Sequence, residues 1–276
     1  MSIQEFKTTK LNILLVGATG VGKSSTINAL FSKTKINELK LATIGEGVQP
    51  ETKNVQDYHL GDITIWDTPG LGDTEEADFV HKQNIEHILN RKDNSVPVID
   101  LIIVIIDATN KNLTTTINLI NNILIPNLGK DAKKRIIVAL NKIDMVKSGQ
   151  YWNNNKNEPD DILNTYLTKM QDDIKSRIYD STNLILRPII YSAGNNFINQ
   201  KPYNLLCFIN TILKNLPNEK RKIILTSTNK KESNWQYNND NEKERAKTKE
   251  ILKEILRTGI SLAISSLFGG LFFFNS

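Results

Sequence analysis

The sequence predicts an α/β fold, a doubly wound and mostly parallel sheet followed by a helical C-terminal tail. Short apolar runs near 11–16, 55–60, 62–67, 99–106, 135–141 and 185–191 alternate with helical patterns near 23–32, 76–91, 113–124, 160–178 and 203–215. Ile99 to Ile106 is nearly all Val, Ile and Leu, as a central strand covered on both faces requires. Several runs end in glycine-rich or polar turns, which puts a ligand at the carboxyl ends of the strands.

The first strand, Leu11 to Val16, runs into Gly17-Ala18-Thr19-Gly20-Val21-Gly22-Lys23-Ser24 and then a helical pattern. Gly17, four intervening residues, Gly22, Lys23 and Ser24 have the spacing of a phosphate-gripping loop. Amide N–H groups of such a loop curl around a β-phosphate, and bulky side chains at Gly17, Gly20 and Gly22 would block that approach. The helix that opens at Lys23 turns its positive end toward the anion. Lys23 is expected to reach the β- and γ-phosphates, and the Ser24 hydroxyl to ligate Mg2+. Val21 and Ser25 complete the predicted cradle.

Ile63-Thr64-Ile65-Trp66-Asp67-Thr68-Pro69-Gly70 is an alternating strand that ends in an acidic residue and a turn. Asp67 is expected to act as a carboxylate near Mg2+, and the N–H of Gly70 to meet a γ-phosphate. Farther on, Asn141-Lys142-Ile143-Asp144 follows the apolar run Ile136 to Leu140. An Asp in that place accepts two hydrogen bonds from the N1–H and amine of guanine, a pair that adenine does not offer. The stem of Lys142 would lie over the purine ring. Ser192-Ala193-Gly194 follows the strand-like Leu184 to Tyr191, and the N–H of Ala193 is expected to face the guanine oxygen. A GTP or GDP ligand with Mg2+ follows from these elements together.

In these phrases and in their order over roughly 8–216, the chain resembles the Era-like branch of the translation-factor-related GTPases. The fuller phrases, Gly17 to Phe31 and Trp66 to Asp73, look most like the bacterial YfjP/YeeP-type GTPases. The resemblance implies GTP hydrolysis as a molecular switch. It also implies a first-switch threonine whose hydroxyl ligates Mg2+ and whose N–H meets the γ-phosphate; Thr52 fits that pattern best and Thr43 is the runner-up. Leu71 stands where Ras-like relatives carry a water-orienting Gln, and Gly20 stands where some Era-like relatives hold potassium with an Asn. No Arg lies between Phe31 and Asp67. Slow intrinsic hydrolysis is therefore expected, raised by an activating partner or by a second copy in a homodimer.

Composition bounds the rest. The chain has 276 residues, 39% hydrophobic and 24% charged, enough for one such domain, 1–216, plus an appendage. Cys207 is the single cysteine, so no disulfide framework forms and a reducing cytoplasm fits. Met1 to Lys10 shows neither a long apolar segment nor a cleavage-like site, so no secretion signal is expected there. His59, His81 and His87 lack metal spacing and are expected on solvated faces. The Asn-rich stretch Tyr151 to Asn157 is expected to be a polar surface loop, either docked through Trp152 and Pro159 or flexible.

After Leu216 a polar linker is expected over 217–240 and a helical, apolar-ended tail over 241–276. From Asn218 to Arg257 eleven basic residues face seven acidic ones, which accounts for nearly all of the net charge of +5. Interleaved acids weaken an attraction to anionic lipid or RNA. RNA or ribosome binding is common in the family, but the appendage shows no Gly-x-x-Gly loop and no aromatic platform. Thr258 to Phe274 is seventeen uncharged residues, short of the about 20 that a spanning helix needs. Three readings stand for 258–274: a helix packed on the domain, an interfacial or tail-like membrane anchor, or an oligomerisation face.

Overall fold

The computed structural model describes residues 10–31, 56–68, 70, 75–110, 112–195 and 199–257. Thr52, Thr43, Leu71 and the segment 258–274 lie outside the described residues.

The strands and helices follow the predicted alternation. In chain order they are β1 (Leu11–Val16), α1 (Lys23–Leu30), β2 (Gln56–Leu60), β3 (Ile63–Asp67) and α2 (Glu75–Leu89), then a small hairpin of β4 (Lys92–Asp93) and β5 (Val96–Pro97). Next come β6 (Leu101–Asp107), α3 (Thr114–Leu119), a π-helical turn (Ile120–Leu124), α4 (Ile125–Leu128), α5 (Ala132–Arg135) and β7 (Ile136–Asn141). The second half holds β8 (Trp152–Asn153), β9 (Glu158–Pro159), α6 (Asp161–Thr182), β10 (Ile189–Ile190), α7 (Leu205–Asn215), α8 (Asn218–Ser227) and α9 (Asn241–Arg257).

Six strands form one sheet in the order β10-β7-β6-β1-β3-β2. All neighbours are parallel except β2, which returns antiparallel along β3. Side chains of a strand alternate between faces, and the central strands supply both cores. Ile13, Leu15, Ile103, Ile105, Ile137 and Ala139 face a cluster completed by α1, α7, α8 and α9. Leu14, Val16, Ile102, Val104, Ile106, Val138 and Leu140 face the opposite cluster, covered by α2, α3, α4 and α6. A continuous apolar run with no polar alternation is what a strand buried on both sides must have.

Three expectations change in detail. The strand expected over 185–191 pairs only at Ile189 and Ile190, because β10 is an edge with one neighbour and Pro188 has no N–H to donate. The helix expected over 113–124 widens into a π turn just ahead of Pro126, whose missing N–H breaks the regular ladder. Tyr151 to Asn157 takes the docked form: Trp152 is buried, meets Tyr203 edge-on with centroids 5.3 Å apart, and starts the two-stranded β8-β9 ribbon.

A larger change concerns 217–240, expected as a polar linker. It contains α8, buries Ile223, Ile224, Leu225 and Trp235, and is continuous with the core under α1 and α7. The apolar residues are sparse in sequence but converge in space. In α9, Thr248, Ile251, Leu252 and Ile255 recur at helical spacing on the buried side, so the charged composition hides a packed face. Among the described residues, no helix is long and apolar enough to cross a membrane.

Candidate functional site

The predicted residues that the structure describes lie at the carboxyl ends of β1, β3, β7 and β10, where a doubly wound sheet leaves its crevice; Thr52 is not among them. Gly17 to Gly22 leads from β1 into α1, whose first residue is Lys23. Gly22 has a left-handed backbone, φ 94°, and a Cβ there would come within 2.3 Å of Asn141 Nδ2. A side chain at Gly22 is therefore excluded twice, by conformation and by contact. Lys23 is buried, and its Nζ donates to the carbonyls of Gly17 at 3.2 Å and Ala18 at 3.3 Å. The ammonium is folded back across its own loop, over the concavity that the loop encloses. Ser24 and Ser25 are half-buried in the first turn of α1.

Asp67 ends β3 beside this turn and is wholly buried. Neither of its carboxylate oxygens has a hydrogen-bond partner among the described residues. Burial pushes the carboxyl up to about 6, against the lowering pull of Lys23 and the Ser24 hydroxyl. A buried carboxylate with no close hydrogen bond, offset only by the nearby Lys23 ammonium and Ser24 hydroxyl, is costly unless something further that is cationic or hydrogen-bonding faces it. Among the described residues no cluster of three or more His, Cys, Asp or Glu could hold an ion. One carboxylate and one serine hydroxyl fit Mg2+ that takes its other ligands from phosphate and water, and do not fit an all-protein cage.

Asn141 joins the two halves of the site. Its Nδ2 donates to the Val21 carbonyl at 2.9 Å, its Oδ1 accepts from the Ala193 N–H at 3.0 Å, and its carbonyl accepts from the Ala108 N–H at 2.9 Å. Ala193 was expected to face a base; here its N–H serves Asn141. Lys142 adopts a left-handed backbone, φ 62°, and its Nζ donates to Asp107 Oδ2 at 2.7 Å. Burial works against the charge of Asp107, but Lys142 and Thr109 prevail and hold its pKa below the usual range. Asp144 sits half-buried beside Ser192; burial raises its pKa, opposed by the Ser192 hydroxyl and by Lys142. Gly194 N–H donates to Ser192 Oγ at 3.1 Å and so tightens that loop.

Two contributors escaped the sequence reading. Asp107 fixes Lys142, and its signal was an acidic residue closing an otherwise apolar strand. Tyr191 is fully buried, and its hydroxyl shares a 2.6 Å hydrogen bond with Thr26 of α1, which in turn donates to the Gly22 carbonyl at 2.8 Å. A tyrosine at the end of a strand gives no sequence sign of that reach.

Residues 12–142 match the family model described as 50S ribosome-binding GTPase. Among curated proteins, septin-8 of Xenopus tropicalis is 36% identical over 86 residues, covering 30% of this chain and 20% of that protein. The tRNA modification GTPase MnmE of Alkaliphilus oremlandii is 32% identical over 139 residues, covering 49% of this chain and 26% of that protein. The chain thus spans about a fifth to a quarter of the length of these relatives. Of solved structures, Toc33 from Arabidopsis thaliana with GDP and Mg2+ has 18% identity and TM-score 0.45, covering 71% of this chain and 74% of that one. Era with MgGDPNP and nucleotides 1506–1542 of 16S ribosomal RNA has 20% identity and TM-score 0.44, covering 76% and 57%.

Proposed function

We propose that this chain, whose residues 12–142 match the 50S ribosome-binding GTPase family, is a P-loop GTPase that binds GTP with Mg2+ and hydrolyses it to GDP and phosphate as a switch. The observation that carries the reading is the seat built around Asn141, which ties the phosphate loop at Val21 to the Ser-Ala-Gly loop at Ala193. Phosphate and base would be gripped by one connected unit.

In this reading the amides of 17–22 and the N-terminus of α1 hold the β-phosphate, and Lys23 balances charge on the transferring phosphoryl group. Mg2+, when bound, would neutralise the β- and γ-phosphates, with Ser24, Thr52 and Asp67 arranged around it. Gly70 meets the γ-phosphate through its N–H. Asp144 accepts from guanine, with Ser192 and Ala193 lining the base and Lys142 braced by Asp107. Gly20 and Leu71 leave the attacking water without the usual guides, so intrinsic turnover is slow and rises with a partner or a second copy. A YfjP/YeeP-type subgroup fits the phrases around the phosphate loop.

Competition of GTP and ATP for a fluorescent guanine nucleotide tests the reading. GTP should displace it and ATP should not, and Asp144→Ala should weaken GTP by roughly a hundredfold or more, since a site built on those two hydrogen bonds loses most of its discrimination. Equal competition by ATP would sink the assignment. Turnover that is fast at dilution and independent of protein concentration and of potassium would overturn the slow-hydrolysis part.

A second reading, ribosome or RNA association, is supported by the description of the matched family. Co-sedimentation with ribosomal particles in the GTP state but not the GDP state is its expected result. A membrane-associated assembly role gated by GTP draws its support from the uncharged segment 258–274 alone.

A further inference from the structure

We propose that Thr19 is a positioning residue for hydrolysis: its hydroxyl lies against Gly70, donates to the γ-phosphoryl oxygen and accepts a hydrogen bond from the attacking water. This rests on the GTPase reading above.

Of residues 17–22, Thr19 alone has a polar side chain. The other two side chains of the loop turn inward: Val21 is in the core below the sheet ends and Ala18 packs against the same cluster. Thr19 is exposed at the mouth of the loop. Gly70 approaches it so closely that a Cβ on Gly70 would lie 2.2 Å from Thr19 Oγ1 and 2.3 Å from its Cα and N. No side chain fits at Gly70 while that approach is kept. The hydroxyl is therefore held beside the residue whose N–H is assigned to the γ-phosphate. Gly20, next in the chain, adds no side chain beside the hydroxyl, and among the described residues nothing lies within 4 Å of where its Cβ would be.

The chemistry needs no proton on Thr19. A water oxygen forms a bond to the γ-phosphorus, the bond from that phosphorus to the β,γ-bridging oxygen breaks, and GDP leaves with the electron pair. The water proton ends on the released phosphate. A threonine hydroxyl both donates and accepts, so it can hold the phosphoryl oxygen and the water at once. Leu71, with no polar atom, cannot.

Thr19→Val keeps the shape and removes the hydroxyl, Thr19→Ser keeps the hydroxyl, and Thr19→Ala is a second test should the valine disturb folding. The full chain is assayed for GDP affinity, for affinity toward a non-hydrolysable GTP analogue, and for single-turnover hydrolysis. Thr19→Val and Thr19→Ala should hydrolyse about tenfold or more slowly, with GDP affinity within about twofold of the parent. Their preference for the GTP analogue over GDP should fall by about fivefold, the loss of one hydrogen bond. Thr19→Ser should restore both.

Wild-type hydrolysis and unchanged analogue preference in Thr19→Val would overturn the proposal, as would parallel losses for GDP and the analogue, which mark a merely structural role. Should the parent itself hydrolyse too slowly to time, the analogue preference decides. A parent that binds no guanine nucleotide refutes the GTPase reading instead, a result seen before any variant is made.

Discussion

Asp67 shows what it costs to bury a charged side chain. Its native pKa of about 6 lies above the ordinary 3.8, because burial disfavours the charge. The native state then holds the proton more tightly than the unfolded chain does. Stability of the nucleotide-free protein should fall as pH rises from about 4 to about 6 and stay lowered above that, by about 3 kcal/mol for two units. Asp67→Asn removes the charge, so it should stabilise the nucleotide-free protein near neutral pH and flatten the decline between those values. Urea unfolding at about pH 4, 5 and 7.5 measures this; a variant no more stable than the parent near neutrality would contradict it. In the same variant, Mg2+ should strengthen GTP binding less than in the parent, because the carboxylate proposed to face the ion is gone. Asn141 is the opposite case: every polar atom of its side chain has a partner on another loop, and the geometry depends on Gly22 being side-chain free.

At the scale of elements, α1 is held from both ends. Its N-terminus borders the phosphate loop, and its C-terminus is closed by the segment between α8 and α9. The Asn229 N–H donates to the Leu30 carbonyl at 2.8 Å, and its Nδ2 to the Asn28 carbonyl at 3.1 Å. Asn234 Nδ2 donates to the Ala29 carbonyl at 3.0 Å, and Phe31 pairs antiparallel with Thr228. The last carbonyls of a helix have no partner within it, and asparagines from elsewhere in the chain supply them here. Trp235, fully buried below them, donates its Nε1–H to the Asn229 carbonyl at 2.6 Å. Asn234→Ala should cost about 1–3 kcal/mol by leaving a buried carbonyl unpaired, and Trp235→Ala about 3–5 kcal/mol by emptying the core. Denaturant unfolding checks both, and a loss under about 0.5 kcal/mol for Trp235→Ala would show this segment to be detachable. Within α9, Glu244 is buried because Asn210 Nδ2 donates to its Oε2 at 2.9 Å and Lys247 pairs with it, which locks α9 to α7.

At the scale of the whole molecule, these contacts make 218–257 part of the domain's packing. A chain ending at Leu216 would uncover the side of α1 and α7 that α8, Trp235 and α9 bury, and should be insoluble or lose cooperative unfolding. A chain ending at Arg257 keeps every described contact and should bind GTP like the full chain. Size-exclusion chromatography with nucleotide binding separates the two, and a stable, GTP-binding 1–216 fragment would refute the integral role. Much of the architecture was legible in sequence because strands buried on both faces must be almost wholly apolar, as Leu101 to Ile106 is. The phosphate loop and the Asn-Lys-Ile-Asp turn were legible too, since their chemistry depends on fixed spacing within a few residues. Asp107 on Lys142, Tyr191 on Thr26 and Thr19 on Gly70 were not, because each pair is brought together by strands and loops distant in the chain. The stretch after Leu216 misled because composition averages over residues, whereas burial is decided one face at a time. The sequence by itself determined the strand alternation and the local signatures at 17–24, 67–70 and 141–144, which follow from periodicity and short-range stereochemistry. Only the tertiary structure decided that Asn141 links the loop at Val21 to the loop at Ala193, that Thr19 rests on Gly70, and that the charged C-terminal helices close the core, because long-range contacts leave no fixed spacing to read.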